Sequence, residues 1–250
     1  MILAAGRGQR MRPLTDTCPK PLLPVQGKPL LRWHSDALAA GGFHQQLVNA
    51  GWLHEQIVAH ISEQFGEFSA ENLPGQLSKN ERLVAVSDEA ADFGYALETL
   101  GGIVRALPQL GAVFWGLAGD VFAPDFVFSQ SLYQDFMVSP YLAHVFLVPN
   151  PEHHSRGDFC INAAGQLRVI DAMPQGAETY TFSTIALYKK ALFEAPWCDV
   201  PAGNPQGVAA PLAPLLRHAA SHDVISASVY EGRWTDVGTP ERLAALQQVQ

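Results

Sequence analysis

The amino-acid sequence predicts an α/β protein built on one mixed, mostly parallel sheet flanked by helices. Seven apolar runs of strand length recur along the 250 residues, and segments with helical spacing separate them. Several of these runs are apolar throughout, which is typical of strands that are covered on both faces. Strands that alternate with helices predict a Rossmann-like architecture with its ligand at the carboxyl ends of the strands.

Each element has its own signal in the chain. The predicted strands are the apolar runs at 2–5, 46–49, 83–86, 113–118, 142–148, 181–187 and 224–229. The predicted helices have apolar residues at helical spacing and cover 29–40, 54–65, 96–107, 212–220 and 240–248. Two segments rich in Gly, Pro, Asn and Ser, 66–80 and 200–211, are predicted surface loops too short to separate domains. We therefore expect a single domain over residues 1–250.

Charge is distributed unevenly along the chain. The formal net charge is −8, yet six of the 16 Lys and Arg residues lie among the first 32 positions. Binding of nucleic acid needs an extended basic face, so we expect no nucleic-acid partner for a protein with a pI near 5.5. The local excess of cations predicts instead a compact and highly anionic ligand, such as a polyphosphate.

Other features of the sequence bear on its compartment. No apolar run reaches the length of a membrane span or forms the core of a signal peptide. The three cysteines are widely spaced and lack a CxxC motif, which indicates reduced thiols and no structural zinc. We expect a cytoplasmic protein without a membrane partner, and its oligomeric state stays open.

The opening segment AAGRGQRMRP predicts an anion-binding loop. It lacks the Lys-Ser/Thr pair of a P-loop and the third glycine of a dinucleotide fingerprint. Gly6 and Gly8 allow a tight bend that exposes backbone N–H groups. Arg7, Arg10 and Arg12 then offer forked donors that suit phosphate. A solvated turn with surface arginines is the alternative that these residues alone leave open.

The continuation of the loop makes the segment recognisable. Proline on both sides of Lys20 fixes the backbone around one cation. AAGRGQRMRPLT and PKPLLPVQGKPLL resemble the N-terminal signature of sugar-1-phosphate nucleotidylyltransferases, and the resemblance continues through LAGDVF, TFSTIALY and GRWTDVGTPERL. HHSRGDF and LAPLLRHA are most similar to the N-acetylmuramate 1-phosphate uridylyltransferases of bacterial cell-wall recycling. The resemblance implies a nucleotidyltransferase fold, with a nucleotide-binding part at about 1–120, a sugar-binding part at about 121–235 and a C-terminal helix at about 239–250.

Two aspartates are the candidate metal ligands. Asp120 ends the apolar strand in GLAGDVF, and Asp236 ends a short apolar stretch in GRWTDVG. Considered alone, Asp120 could shape a turn and Asp236 could cap a helix, although Thr239 suits the cap better. The resemblance implies that the two carboxylates meet around Mg²⁺, a cation that takes few protein ligands beside substrate phosphates.

The resemblance also implies how a nucleotidyl group is transferred. Arg10, at the arginine of the family's GxGxR motif, holds the β- and γ-phosphates and the leaving pyrophosphate. Lys20, at the lysine of the family's PKP motif, bridges the α-phosphate and the sugar phosphate. The segment YALETLGGIVRAL resembles the family's base-binding turn and helix, which implies that backbone groups near 99–102 contact the base. Many relatives have glycine in place of Glu98, and an ordinary buried helix start accounts for the same residues. The implied nucleotide contacts are Ala4, Ala5, Gly6, Arg7, Gly8, Glu98, Thr99, Gly101 and Gly102.

The sugar side departs from the family pattern. Many relatives have a lysine in an EKP motif, whereas the only cation here between Cys160 and Thr184 is Arg168. Asp158 resembles a residue that accepts hydrogen bonds from sugar hydroxyls, and Arg156 or Arg217 is the candidate partner for the lactyl carboxylate of N-acetylmuramate. The adjacent histidines 153 and 154 lack a third ligand, which favours a role in a loop over a metal site.

These features predict an Mg²⁺-dependent uridylyltransferase that makes UDP-N-acetylmuramic acid from UTP and the sugar 1-phosphate. The first alternative is a guanylyl- or thymidylyltransferase acting on mannose or glucose 1-phosphate. The second is a nucleotide-sugar-binding regulator without catalytic activity. The joint presence of Arg10, Lys20, Asp120 and Asp236 favours an enzyme over that regulator.

Overall fold

The computed structural model of the protein describes residues 1–66 and 82–248. Its strands are, in chain order, β1 (Ile2–Leu3), β2 (Pro24–Val25), β3 (Lys28–Pro29), β4 (Gln45–Ala50), β5 (Leu83–Asp88), β6 (Val113–Ala118), β7 (Val121–Phe122), β8 (Ala143–Val148), β9 (Phe159–Ile161), β10 (Leu167–Val169), β11 (Thr181–Lys189), β12 (Ile225–Val229) and β13 (Thr235–Asp236). Seven of them form the main sheet, in the order β12-β8-β11-β6-β1-β4-β5. Within this sheet, β11 runs antiparallel to β6 and β8, and the other pairings are parallel.

The α-helices within the described ranges are α1 (Leu14–Thr17), α2 (Leu30–Ala40), α3 (His54–Phe65), α4 (Glu89–Phe93), α5 (Glu98–Ala106), α6 (Gln130–Val138), α7 (Leu212–Ala220) and α8 (Pro240–Gln248). Side chains that precede three of them act as N-caps: Asp88 accepts a hydrogen bond from the N–H of Ala91, Ser129 from that of Leu132, and Thr239 from that of Arg242. None of the described helices has the length and apolar character that a membrane span requires.

The predicted fold class is confirmed, because the seven predicted strands are the seven strands of the main sheet. β1 ends earlier than predicted, since the N–H of Ala4 donates to the side chain of Asn49 instead of continuing the ladder. All five predicted helices are present, and α6 was missed because Phe136 is its one fully buried residue. Of the predicted loops, 200–211 contains no helix or strand, and 67–80 lies outside the described residues.

Two apolar cores cover the two faces of the main sheet. The first contains Ile103 of α5 and Leu216 of α7, and the second contains Leu31 of α2 and Ile57 of α3. Successive strand residues belong to different cores, as the alternation of side chains along a strand requires: Leu47 and Ala186 pack in the first, Val48 and Ile185 in the second. Each such buried aliphatic side chain stabilises the fold by roughly 1.5–3 kcal/mol.

Three small ladders lie outside the main sheet and place chain segments at its carboxyl edge. β2 pairs with β3, β9 pairs with β10, and β7 pairs with β13. The last pairing sets Asp236 opposite Val121, and the N–H of Val237 donates to the carbonyl of Asp120 over 2.9 Å. Two aspartates that are 116 positions apart in the sequence are thereby joined through neighbouring backbone positions.

Candidate active site

A cavity of about 640 Å³ opens at the carboxyl ends of β1, β4 and β6. This is the edge at which a parallel α/β sheet binds its ligands. Residues from both ends of the chain line it, from the opening loop to Arg217 of α7. Eleven of the residues predicted for the site lie in its wall, namely Ala4, Ala5, Gly6, Arg7, Gly8, Lys20, Glu98, Thr99, Asp120, Asp158 and Arg217.

The opening loop bends at Gly8, which takes a φ of +63°. A Cβ atom there would lie 3.0 Å from Cγ2 of Thr15, and the hydroxyl of Thr15 donates to the Gly8 carbonyl over 2.8 Å. Glycine is therefore required both by backbone conformation and by space. The backbone N–H groups of Gly6, Arg7 and Gly8 donate to no other described residue. They form the donor-lined bend that the sequence predicts for an anion.

The arginines of the loop differ in their surroundings. The guanidinium of Arg7 lies over the ring of Trp52, 4.4 Å from its centroid. Arg10 belongs to a short 3₁₀ helix, Gln9–Met11, and its exposed guanidinium forms no ion pair within the described part of the chain. Arg12 is paired with Asp16 over 2.9 Å. Arg10 does not line the cavity, so contact with a bound phosphate would require its side chain to turn inward.

Lys20 is the buried cation of the site. It is 6% exposed and follows Pro19 at the start of the 3₁₀ helix Lys20–Leu22. Its Nζ lies 2.5 Å from Oδ2 of Asp120, the residue two positions after the end of β6. Because burial of an ammonium requires an opposite charge, Asp120 fixes Lys20 in the cavity wall. Sequence reasoning predicted both residues but not this ion pair.

Asp236 lies close to Asp120 through the backbone but faces other partners. Its Oδ2 is 3.2 Å from Nη2 of Arg242, and its Oδ1 is 3.1 Å from Nε2 of His153. Oδ1 is also buried and lacks a hydrogen bond of good geometry. The His153 ring is thus within ion-pair distance of Oδ1 without donating a well-directed hydrogen bond to it. Thr239 caps α8, with a distance of 3.4 Å from its hydroxyl to the N–H of Arg242, so Asp236 is not the cap.

The donor set at these aspartates fits a hard divalent cation. Asp120 lines the cavity, and Asp236, which does not, lies beside it through paired backbone positions and has a buried oxygen that accepts no hydrogen bond from the described residues. Carboxylate oxygens are the ligands that Mg²⁺ prefers. The described residues contain no group of three or more His, Cys, Asp or Glu side chains at metal-binding spacing. A cation held here would therefore need oxygens from a substrate to complete its coordination.

The predicted base-binding turn divides into two parts. Glu98 and Thr99 line the cavity, and Glu98 takes a φ of +58°, a conformation that favours glycine. Gly101 and Gly102 do not line the cavity, and their contact with the nucleotide stays a prediction. A Cβ atom at Gly101 would lie 2.3 Å from the carbonyl of Val208, and one at Gly102 would lie 2.4 Å from the carboxylate of Glu89. These two glycines allow close packing behind the site.

On the sugar side, the structure gives the predicted residues Asp158 and Arg156 different surroundings. Asp158 lines the cavity, but Oδ2 accepts from the N–H of Phe182 and Oδ1 lies 3.0 Å from Nε2 of His154. Its carboxylate therefore anchors β11 as well as facing the cavity. The side chain of Arg156 is 79% exposed, lies 3.6 Å from Asp171 and does not line the cavity, so its role as a sugar ligand stays a prediction that these contacts do not favour.

The other cations of the sugar side also differ from each other. Arg168 is paired with Asp223 over 2.7 Å and lies outside the cavity wall. Arg217 lines the cavity, and its guanidinium forms no ion pair or hydrogen bond with any residue in the described ranges. His153 and His154 face different carboxylates, so the structure gives them no shared metal. Arg217 is thus the unpaired cation at the sugar end of the cavity.

Comparison with known proteins identifies the family. Residues 1–154 match the model of the MobA-like NTP transferase domain. The chain is also 38% identical over 249 residues to N-acetylmuramate alpha-1-phosphate uridylyltransferase of Neisseria meningitidis serogroup B, covering 99% of this chain and 96% of that protein. The chain belongs to the MobA-like NTP transferase family.

Further relatives agree with this membership. A protein of the same description from Caulobacter vibrioides is 29% identical over 98% of this chain and 94% of its own length. The crystal structure of a putative glucose-1-phosphate thymidylyltransferase from Bacillus anthracis superposes with a TM-score of 0.70 at 18% identity, over all of this chain and 95% of that one. This structural likeness shows that the MobA-like NTP transferase has the fold of sugar-phosphate nucleotidyltransferases.

The structure of this MobA-like NTP transferase adds residues that sequence reasoning missed. Asn49 lines the cavity, accepts from the N–H of Ala4 over 2.6 Å and donates to Glu89 over 2.6 Å. Glu89 is fully buried and also accepts from the N–H of Leu97 over 2.7 Å. The signal in the sequence was a polar residue at the end of a buried strand, QQLVNAG. This network joins the opening loop to the start of α5.

Proposed function

We propose that this protein transfers a uridylyl group from UTP to N-acetylmuramate 1-phosphate, giving UDP-N-acetylmuramic acid and pyrophosphate. The observation that carries the proposal is the 38% identity, over almost the whole of both chains, to the Neisseria meningitidis N-acetylmuramate alpha-1-phosphate uridylyltransferase. The Caulobacter vibrioides protein of the same description supports it. Because UTP is an intracellular metabolite, we place this step of cell-wall recycling in the cytoplasm.

The reaction needs positioning and charge neutralisation more than a protein nucleophile. An oxygen of the sugar phosphate is already ionised, and it attacks the α-phosphorus of UTP in line. A new P–O bond to the sugar phosphate forms as the bond from the α-phosphorus to the bridging oxygen breaks, and that electron pair leaves with pyrophosphate. Catalysis then comes from holding both substrates in line and from donors that stabilise the developing charge.

Residues of the cavity suit these tasks, together with Arg10, whose side chain lies outside the wall and would turn inward to reach a phosphate. Lys20 is buried in the wall beside Asp120, where its ammonium would contact the α-phosphate and the sugar phosphate together. The N–H groups of the bend at Gly6, Arg7 and Gly8 would bind the triphosphate, and Arg10 would hold the β- and γ-phosphates. Forked guanidinium donors and a bend of N–H groups are suited to an ion of several negative charges.

Asp120 and Asp236 would hold Mg²⁺. Their adjacent backbone positions, and the buried Oδ1 of Asp236 that accepts no hydrogen bond within the described ranges, support this assignment. When bound, the ion supplies charge neutralisation at the phosphates. The carboxylate of Asp120 also pairs with the ammonium of Lys20, so Asp120 would serve as counter-ion to Lys20 as well as ligand to Mg²⁺.

The acceptor is distinguished by the negative charge on its lactyl group, and Arg217 is the residue that suits it. Its guanidinium lines the cavity without a partner in the described ranges. Leu212, Ala213 and Leu216 line the same end of the cavity and provide an apolar surface for methyl groups. Arginine binds carboxylates through two parallel hydrogen bonds, which gives both affinity and orientation.

A matrix of nucleoside triphosphates against sugar 1-phosphates, scored by pyrophosphate release with Mg²⁺, tests this function. We expect turnover with UTP and N-acetylmuramate 1-phosphate, and loss of turnover on addition of EDTA. Turnover only with GTP and mannose 1-phosphate, or only with dTTP and glucose 1-phosphate, would replace uridylyl transfer with the corresponding alternative. Binding of nucleotide sugars without pyrophosphate release from any pair would identify a regulator.

A further inference from the structure

Thr184 has a backbone conformation that is unusual for its residue type. It lies within β11, between Phe182 and Ala186, where the register of pairing with β8 shifts. Its φ is +67°, in the left-handed region that β-branched residues rarely adopt. Such outliers persist only where the surrounding structure holds them, and they cluster at ligand-binding sites.

Neighbouring side chains hold this bulge from both sides. The hydroxyl of Ser183 donates to the carbonyl of Phe146 over 2.7 Å and accepts from the N–H of Ile185. The indole N–H of Trp234 donates to the carbonyl of Ser183 over 3.0 Å. On the other side, Asp158 accepts from the N–H of Phe182. The conformation of Thr184 is therefore imposed by fixed contacts and does not belong to a loose loop.

Thr184 contributes to the cavity wall and carries a buried polar atom that no described neighbour uses. Thr184 lines the cavity, and its Oγ1 is buried without a hydrogen-bond partner in the described part of the chain. Buried hydroxyl groups in native proteins normally have a partner. The next residue, Ile185, pairs with Leu117 of β6, three positions before Asp120. Oγ1 therefore lies between the sugar-side anchor Asp158 and the end of β6 that leads to the proposed metal site.

We propose that Thr184 binds the acceptor, with Oγ1 hydrogen-bonded to a polar group of the sugar ring of the sugar 1-phosphate. The inference rests on the proposed function, because it takes the acceptor to occupy this end of the cavity. A hydroxyl both donates and accepts, which matches the hydroxyl and amide groups of an N-acetylated sugar. The bulge places Thr184 in the cavity wall, where a rotation about χ1 would present the buried hydroxyl to the acceptor.

Three variants separate the hydroxyl from the backbone conformation. Thr184→Ser keeps the hydroxyl, Thr184→Val removes it at nearly constant shape, and Thr184→Gly removes it and relieves the positive φ. We expect Thr184→Val and Thr184→Gly to raise the KM for the sugar 1-phosphate about three- to tenfold, the loss typical of one hydrogen bond, with the KM for UTP unchanged. Thr184→Ser should stay within about twofold of the parent.

The stability of the same variants provides a second measurement. Thr184→Gly should melt at the same or a higher temperature than the parent protein while binding the acceptor less tightly. An unchanged acceptor KM in Thr184→Val, or in Thr184→Gly should the valine variant not fold, would overturn the proposal. Equal changes in the KM of UTP and of acceptor would show a structural role only. If the parent enzyme uses no sugar 1-phosphate, the proposed function itself fails, which is a distinct result.

Discussion

The two ends of the cavity are built in different ways. The nucleotide end comes from one short stretch, from Ala4 to Lys20, closed by the start of α5. The sugar end takes Asp158, Thr184 and Arg217 from three segments that meet only through the sheet topology. Local chain geometry therefore determines the first end, and long-range packing determines the second. Side-chain changes at the nucleotide end should affect turnover, whereas those at the sugar end should affect the choice of substrate.

Lys20→Ala is expected to have the largest effect, because it removes the one buried cation that we place between both phosphates. Turnover should fall at least about a hundredfold, as it does on loss of a preorganised electrostatic group. The fold should persist, since the side chain of Asp120 is 41% exposed and can be hydrated. Rates of pyrophosphate release at saturating substrates, with circular dichroism, measure both properties.

Lys28→Ala is the matched control for Lys20. Lys28 also belongs to the basic segment of the first 32 residues, but it pairs with Asp36 over 3.2 Å and lies over the ring of Trp33, outside the cavity wall. This variant should keep the parent turnover. If Lys20→Ala retains a rate within about fivefold of the parent, the electrostatic role of Lys20 is excluded.

Asp236→Asn tests whether the nucleotide end extends to the β7–β13 ladder. The change keeps the shape of a proposed Mg²⁺ ligand and removes its charge. We therefore expect turnover to fall about tenfold to a hundredfold and the Mg²⁺ concentration for half-maximal rate to rise. The rate is measured as a function of Mg²⁺ concentration. Electron paramagnetic resonance measures the affinity for Mn²⁺. Asp125→Asn, which alters an exposed carboxylate paired with Arg233 over 2.7 Å, should change neither. Unaltered Mn²⁺ binding in Asp236→Asn would remove that residue from the metal site.

Arg217→Ala should change substrate choice at the sugar end. We expect kcat/KM for N-acetylmuramate 1-phosphate to fall about tenfold to a hundredfold, the range for a charged hydrogen bond. The value for N-acetylglucosamine 1-phosphate, which lacks the lactyl carboxylate, should stay constant. Arg156→Ala, on an exposed side chain outside the cavity wall, is the control and should affect neither. An equal loss with both acceptors would show that Arg217 does not distinguish the carboxylate.

The contrast between local chain geometry and long-range packing explains how much could be predicted from the sequence. Strand-length apolar runs predicted the main sheet, and Gly8 and Lys20 were predicted because their roles depend on nearby backbone. Arg156 and Arg217 could not be separated, since only tertiary packing sends one to solvent and the other to the cavity. The family resemblance predicts Gly102 as a nucleotide contact, but its close packing against Glu89 could not be predicted, because a glycine required for packing and one required for a ligand look alike in a sequence.

Glu89→Gln is expected to have the smallest effect on turnover and tests how the nucleotide end is supported. Burial raises the pKa of Glu89, while the N–H groups of Asn49 and Leu97 favour its ionised form. A glutamine presents one oxygen and one NH₂ group, so one of those donors must face another donor. The free energy of unfolding should fall by about 1–3 kcal/mol, the cost of an unsatisfied buried group.

The consequence of Glu89→Gln for binding follows from the same network. If Asn49 turns its amide to satisfy the new side chain, its oxygen can no longer accept from the N–H of Ala4 in the opening loop. The KM for UTP should therefore rise a few-fold while the acceptor KM stays constant. Glu63→Gln, on an exposed position of α3, is the control in urea unfolding and in kinetics. A Glu89→Gln variant as stable as the parent would mean that the network rearranges without loss, and Glu89 would then not support the nucleotide end of the cavity.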